Sequence, residues 1–349
     1  MFLAIRELLH TKLRYMLIGL IMVLIAMLIF IISGLANGLS ADNAGSIQTM
    51  HTDRLVIEKD VEQQLTKSFL PESATDDVKQ ADGVIEAAPL TVRMSGVSQQ
   101  GTDQQTDVAV FGTDLQGMLI PEVIQGTKPT DPDDVLADES LQQKGFDVGD
   151  RIVFNGNDTA YTIAGFAQNQ RFSHAPVIYR TINRDKITAV AIRTDGDTGE
   201  GLNASYDVLS KGEVLQGIPS YSQEQASLNM MIVFLFVIAA FVLAVFFYVI
   251  TMQKKSQFGI LKALGIQTSY IIRNLMFQMV AISIVCIGVA IGITYGVKLI
   301  LPDDMPFIMN TLNMLKVSSL LLVVSVLGSL ISLFQVVKVD PIQAIEGGE

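Results

Sequence analysis

Four uninterrupted apolar runs, Tyr15–Ala36, Leu228–Met252, Leu275–Val297 and Val317–Val337, constrain this chain more than any other feature. Each exceeds the roughly 18 residues needed to cross about 30 Å of hydrocarbon, and none carries a charge, which lipid would make expensive. The expected architecture is a membrane protein with four transmembrane α-helices. The composition agrees: 50% of the residues are hydrophobic and 17% charged, against about a quarter charged in soluble domains. The 22 residues of the first run outlast a signal-peptide core of 7–15 residues, so it reads as a retained anchor.

Basic residues set the expected orientation. Arg6, Lys12 and Arg14 precede the first run, Lys254, Lys255, Lys262 and Arg273 lie between the second and third, and Lys338 follows the fourth. Both termini should then be cytoplasmic and the segment 40–227 external. That segment holds 14 Lys and Arg against 29 Asp and Glu, net −15, while the rest holds 10 against 6, net +4, together the −11 of the whole chain. Such a balance excludes a nucleic-acid partner. The resulting division is a cytoplasmic amphipathic helix over 1–14, where Phe2, Leu3, Ile5, Leu8 and Leu9 alternate with basic residues, and spans at 15–39, 228–252, 275–297 and 317–337. Between them lie the external domain at 40–227, a cytoplasmic loop at 253–274, an external loop at 298–316 and a tail at 338–349.

The external domain reads as mixed α+β. Arg54–Glu58, Val108–Gly112, Arg151–Phe154, Ala160–Ala164 and Thr188–Ile192 have strand length and β-branched composition. The Asn155-Gly156-Asn157-Asp158 stretch tolerates positive φ and predicts a hairpin between the third and fourth. Residues 61–80 and 115–145 read as helices and loops. At 188 residues the domain is large enough to bury a core unaided.

Nothing marks an enzyme. His10, His51 and His174 are scattered, Cys286 is the sole cysteine, no metal-ligand spacing occurs, and no nucleophile-elbow, zinc-protease or phosphate-loop motif is present. Ser173-His174 reads as a pair of solvated loop residues. Gly288, Gly292 and Gly296, and Gly34 with Gly38, form small-residue faces suited to helix packing, within the chain or between two copies. Between spans two and three, Phe258–Leu264 has helical spacing with Gly265 placed as a C-terminal cap. Ser220 with Gln223 three residues on reads as a capping box, starting helix two about two turns before its apolar run.

The four-span order, the loop Gln257-Phe-Gly259-Ile260-Leu-Lys262-Ala263-Leu264-Gly265 and the terminal Lys338-Val-Asp-Pro-Ile-Gln-Ala-Ile345 together resemble the MacB/FtsX class of ABC transporter permeases, along the whole chain. Ser220–Ile232, Ala244–Tyr248 and Val148–Arg151 are most similar to its haem-efflux members. The resemblance implies a homodimer working with two copies of a separate ATPase, which binds ATP-Mg and seats the 257–265 helix. It also implies a bacterial plasma-membrane location and closure transmitted along spans one and two; the cysteine-free external domain and the absence of tryptophan and of a lipoprotein signal fit a single-membrane, Gram-positive cell.

Haem, as cargo, needs an apolar slot, cations for its propionates and an axial oxygen, nitrogen or sulfur ligand. Tyr221, Glu224, Leu228 and Met231 share one face of helix two, passing from polar to apolar. Beyond span one lie His51, Arg54 and Glu58. Glu224 and Tyr221 lead as iron ligands, then Glu58 and His51, with Arg54 for a propionate. Competing readings are an exporter of lipid or antimicrobial peptide, and a non-transporting transducer that activates a cell-wall hydrolase.

Overall fold

A computed structural model describes residues 12–102, 104–156, 159–182, 187–195, 202–302 and 305–337. Most of the amphipathic 1–14 segment and the whole 338–349 tail lie outside the described residues. The chain forms two compact units, Leu39–Ala226 and the remainder.

In chain order the elements are α1 (Lys12–Thr49), β1 (Arg54–Ile57), α2 (Ala74–Lys79), β2 (Val84–Gln99), β3 (Thr106–Thr113), β4 (Val123–Gly126), β5 (Asp134–Asp138), β6 (Arg151–Phe154), β7 (Ala160–Ala167), β8 (Arg171–Phe172), β9 (Ala175–Thr181) and β10 (Ala189–Thr194). Then follow α3 (Leu202–Ser205), β11 (Asp207–Ser210), α4 (Lys211–Gln216), α5 (Tyr221–Gln253), α6 (Lys255–Ala263), α7 (Thr268–Lys298) and α8 (Thr311–Val337). Among the described residues, α1, α5, α7 and α8 are the helices long and apolar enough to span a membrane. At 33 residues α5 measures about 50 Å at 1.5 Å per residue, well beyond one hydrocarbon core, and the 38-residue α1 is longer in contour but broken at Ala44.

The outer unit is built on one mixed sheet with strand order β11-β1-β10-β2-β3-β9-β5-β7-β4. All five expected strands are present, and β6 and β7 pair antiparallel as the expected hairpin. Residues 115–145 depart from expectation: they contain β4 and β5, the latter parallel to β7 and antiparallel to β9. The apolar stretch of β5, Val135-Leu136-Ala137, is too short to display alternation, and burial from both sides holds it extended. The 16-residue β2 pairs first with β10, then β3, then β6, and so joins the two halves of the sheet. In the core Phe111 packs edge-on against Phe172 and Tyr179, with ring centroids 5.5 and 5.6 Å apart. Burying such a side chain contributes about 1.5–3 kcal/mol, with a smaller increment for the ring geometry.

In the membrane unit Ile29, Phe30, Leu243, Phe247, Ile287 and Ala290 form one apolar cluster, while Phe241 and Val285 face outward at 73% and 65% exposure. Lipid-facing helices carry such outward residues without penalty. Gly34 and Gly38 do pack closely, but against the loop before α8 rather than another helix. A Cβ on Gly34 would lie 2.6 Å from the Phe307 ring, one on Gly38 would meet the Pro306 carbonyl, and Ile308 N–H donates to the Gly34 carbonyl at 3.1 Å. Gly328 supplies the close helix contact, where an added Cβ would lie 3.2 Å from the Ala244 nitrogen. Gly288, Gly292 and Gly296 have no described atom within 4 Å of their Cβ positions, so they stay open within this chain.

Candidate functional site

Three pieces of backbone converge in the outer unit: the last turns of α1, the first turn of α5, and the tight turn between β8 and β9. Helix α1 is broken at Ala44, whose φ of −145° and ψ of 16° leave the helical region. There the Asn43 carbonyl accepts the Ser173 amide at 2.7 Å, and Gly45 lets the hairpin in, since a Cβ would lie 2.5 Å from the Asn169 carbonyl oxygen. The β8–β9 turn is a two-residue hairpin with Phe172 opposite Ala175. Its central residues Ser173 and His174 both take left-handed backbone, φ 50° and 63°, where Asn-Gly is the usual choice. Holding a non-glycine residue in that conformation costs about 1–3 kcal/mol, which the surrounding contacts must offset.

The turn presents the imidazole of His174. Its Nδ1 lies 2.6 Å from Asp42 Oδ2 and its Nε2 lies 3.1 Å from Glu224 Oε1. Arg171 Nη2 pairs with Asp42 Oδ1 at 2.6 Å and donates to the His174 carbonyl at 2.7 Å, while Nη1 donates to Ser140 Oγ at 2.9 Å. Asn43 Nδ2 donates to Glu224 Oε2 at 3.2 Å, and the Tyr221 hydroxyl meets Ser40 Oγ at 3.0 Å. Through Ser140 the chain of contacts reaches the buried Asp138, which also accepts the Gln170 amide at 2.7 Å. Ser173 and His174 do lie in a turn with the ring 38% exposed, but the ring is not merely solvated: residues 132 and 50 positions away hold it.

Electrostatics follow from this geometry. Burial alone would lower the His174 pKa, but hydrogen bonds to Asp42 and Glu224 and their charges raise it above its ordinary value. Burial would raise Glu224, yet donation from Ser220, His174 and Asn43 brings it below the usual carboxylate range. Burial dominates at Asp138 and pushes its carboxyl up. Two buried polar atoms in the cluster, Asn43 Oδ1 and Arg171 Nε, have no hydrogen-bond partner among the described residues, so the site retains unused capacity for a polar ligand or water. A groove of about 930 Å³, lined in part by Met94, Gln105, Asp107, Lys144 and His174, opens beside it.

Of the residues expected from sequence, Glu224 and Tyr221 join this cluster. Ser220 precedes α5 with φ 63°, outside the extended region of an N-cap, and its hydroxyl serves Glu224. Glu58 instead accepts the Phe69 amide at 2.9 Å, Arg54 lies beside Glu213, and His51 is exposed. Met231 lies in the part of α5 within the membrane unit, 46% exposed. Among the described residues no group of His, Cys, Asp and Glu is arranged to hold a free metal ion. His174, Asp42, Asn43 and Arg171 are not distinguished by the sequence. The one signal for them is Ser-His at a two-residue turn between β-rich stretches.

The membrane unit carries a second surface. Helix α6 ends in a Schellman motif: Ile266 N–H donates to the Leu261 carbonyl at 3.0 Å and Gly265 N–H to the Lys262 carbonyl at 2.9 Å, with Gly265 left-handed at φ 88°. Phe258 packs on Ile271 and Leu275 of α7, and Gly259 is buried. Gln257, Ile260, Ala263 and Leu264 are exposed, Leu264 to 74%, which leaves an apolar strip on a short basic helix.

Comparison with known proteins bears on the whole chain. Residues 229–341 match the model of the FtsX-like permease C-terminal region. A Staphylococcus haemolyticus protein provisionally named hemin transport system permease protein HrtB is 31% identical over 99% of both chains. Its Staphylococcus epidermidis counterpart is 30% identical over the same shares. The periplasmic region of MacB from Actinobacillus actinomycetemcomitans aligns with 49% of this chain and 94% of its own, at 13% identity and a TM-score of 0.37. The chain belongs to the FtsX-like family of ABC transporter permeases. It is a membrane protein, and as a permease of an ABC system it works with an ATPase.

Proposed function

We propose that this permease exports haem, drawing it from the bilayer and releasing it outside the cell. End-to-end identity of 31% with a permease provisionally named for hemin transport carries this reading. The site supports it chemically. Glu224 offers a carboxylate and Tyr221 a phenol, both suited to ferric iron, at the start of a helix that continues into apolar sequence. Met231 would face the porphyrin, and Arg54, His51 and Glu58 remain candidates for a propionate or a second ligand.

In this proposal two copies of the permease pair, with the open Gly288, Gly292 and Gly296 face available for the contact, and two copies of a separate HrtA-like ATPase bind ATP-Mg. The α6 strip of Gln257, Ile260, Ala263 and Leu264, capped at Gly265, seats in the ATPase with Lys262 beside it. Force then travels along α1 and α5 to the outer unit. Both termini are cytoplasmic, and the membrane is that of a Gram-positive cell.

The test is a haemin titration of the permease–ATPase complex in nanodiscs, following ATPase rate and the Soret band. We expect stimulation, and a Soret shift lost in Glu224→Ala with Tyr221→Phe. Stimulation by lipid or peptide with none by haemin would reassign the cargo. An ATPase indifferent to all three would favour a transducer acting on a cell-wall hydrolase.

A further inference from the structure

The carboxylate of Glu224 accepts from three donors. His174 holds one oxygen at 3.1 Å, Asn43 the other at 3.2 Å, and Ser220 adds a third donor. A carboxylate ligates iron through its lone pairs, so ligation competes directly with these donors. The three differ in what stands behind them. Ser220 is local to the α5 start, and Asn43 sits on α1. His174 is gripped from its other side by Asp42 at 2.6 Å, and Asp42 is in turn paired with Arg171, which reaches Ser140 just past the end of β5. The backbone that aims the ring is left-handed at two successive non-glycine residues. Lys144 and Asp107 are the charged groups that line the adjoining groove with His174.

We infer that His174 is a positioning residue that latches Glu224, joining the α5 start to α1 and the β8–β9 hairpin until cargo displaces it. The inference rests on the reading of Glu224 as a porphyrin ligand and adds its regulation. A ligand that must break a contact binds more weakly by the strength of that contact, and breaking it changes what the distant partners feel. Occupancy of the site is thereby signalled to the outer sheet through Asp42 and Arg171.

The experiment is haemin binding to the full chain in nanodiscs, read by Soret absorbance. His174→Ala is expected to tighten haemin binding, by about 5- to 150-fold if the coupling is of ordinary size. Asp42→Asn, which loosens the ring without removing it, should tighten binding less, and it serves alone if His174→Ala does not fold. In a Glu224→Ala background, His174→Ala should leave the residual affinity unchanged. Unchanged or weaker binding in the folded His174 or Asp42 variant overturns the latch, because a merely structural role predicts loss rather than gain. An effect that persists without Glu224 overturns it too. If Glu224→Ala alone binds haemin like the parent, the ligand reading itself falls, whatever the His174 variants do.

Discussion

The two units solve opposite problems with their polar groups. In the outer unit partly exposed polar side chains link up over long sequence distances, from Glu224 through His174, Asp42 and Arg171 to Ser140 and the buried Asp138. In the membrane unit several are small hydroxyls that turn back on their own helix, as Ser283 does to the Met279 carbonyl at 2.8 Å and Thr294 to the Ala290 carbonyl at 2.7 Å, while the buried Lys254 Nζ reaches Gln278 Oε1 at 3.5 Å. Asn313 to Ser33 at 2.8 Å and the Ser283–Ser325 pair are cross-helix bonds there. Water outside tolerates charge and lets an ion-pair chain exist half-exposed. Hydrocarbon does not, so membrane packing rests on shape, through glycines and apolar fits. Networks built on charge therefore belong to the outer unit, and packing built on shape to the membrane unit.

The sharpest way to separate the units is to damage one core. Phe111→Ala should cost the outer unit about 3–5 kcal/mol. Hydrogen exchange should show β2, β3 and β9 losing protection while α7 and α8 keep theirs; equal loss in both would mean that the units unfold together.

Next in size, Gly38→Leu forces a side chain into the Pro306 carbonyl and should cost about 1–3 kcal/mol, or displace the loop before α8. A thermal melt of the full chain checks this, and Gly292→Leu is its control. With no described atom within 4 Å, Gly292→Leu should leave the melt unchanged and lower cross-linking between copies. Unaltered cross-linking would move the contact of the proposed dimer elsewhere.

The smallest effect is pH dependence, expected in the outer unit alone. The His174 pKa is raised from 6.5 on folding, so its contribution is complete below pH 6.5 and is lost as pH rises through the folded value. The Glu224 pKa is lowered from 4.5, so its contribution is complete above pH 4.5 and is lost as pH falls through the folded value. Protection of the Ser173 amide, corrected for intrinsic exchange, should therefore be greatest between those limits. It should flatten on the alkaline side in His174→Gln; an equally steep fall there would assign the titration to another group.

The sequence is legible where the physics is local. Hydropathy locates four helices, β-branched runs locate five strands, and Gly265 marks the end of α6 because only a left-handed residue completes that cap. It is illegible where neighbours decide. Val84–Gln99 carries Pro89 and polar residues on both faces, yet it is the longest strand among the described residues because three different strands pair along it. The site divides the same way. Glu224 and Tyr221 are visible as a polar start to an apolar helix, whereas His174 has no local reason to matter.

Covalent order by itself determined that this chain crosses a membrane, where its charge lies and which segments are stiff, because solvation of each residue type sets those outcomes. Tertiary structure decided which polar groups meet. Asp42, His174 and Glu224 come from three distant segments, and only a sheet that folds its β8–β9 turn against the ends of two helices brings them within hydrogen-bond reach.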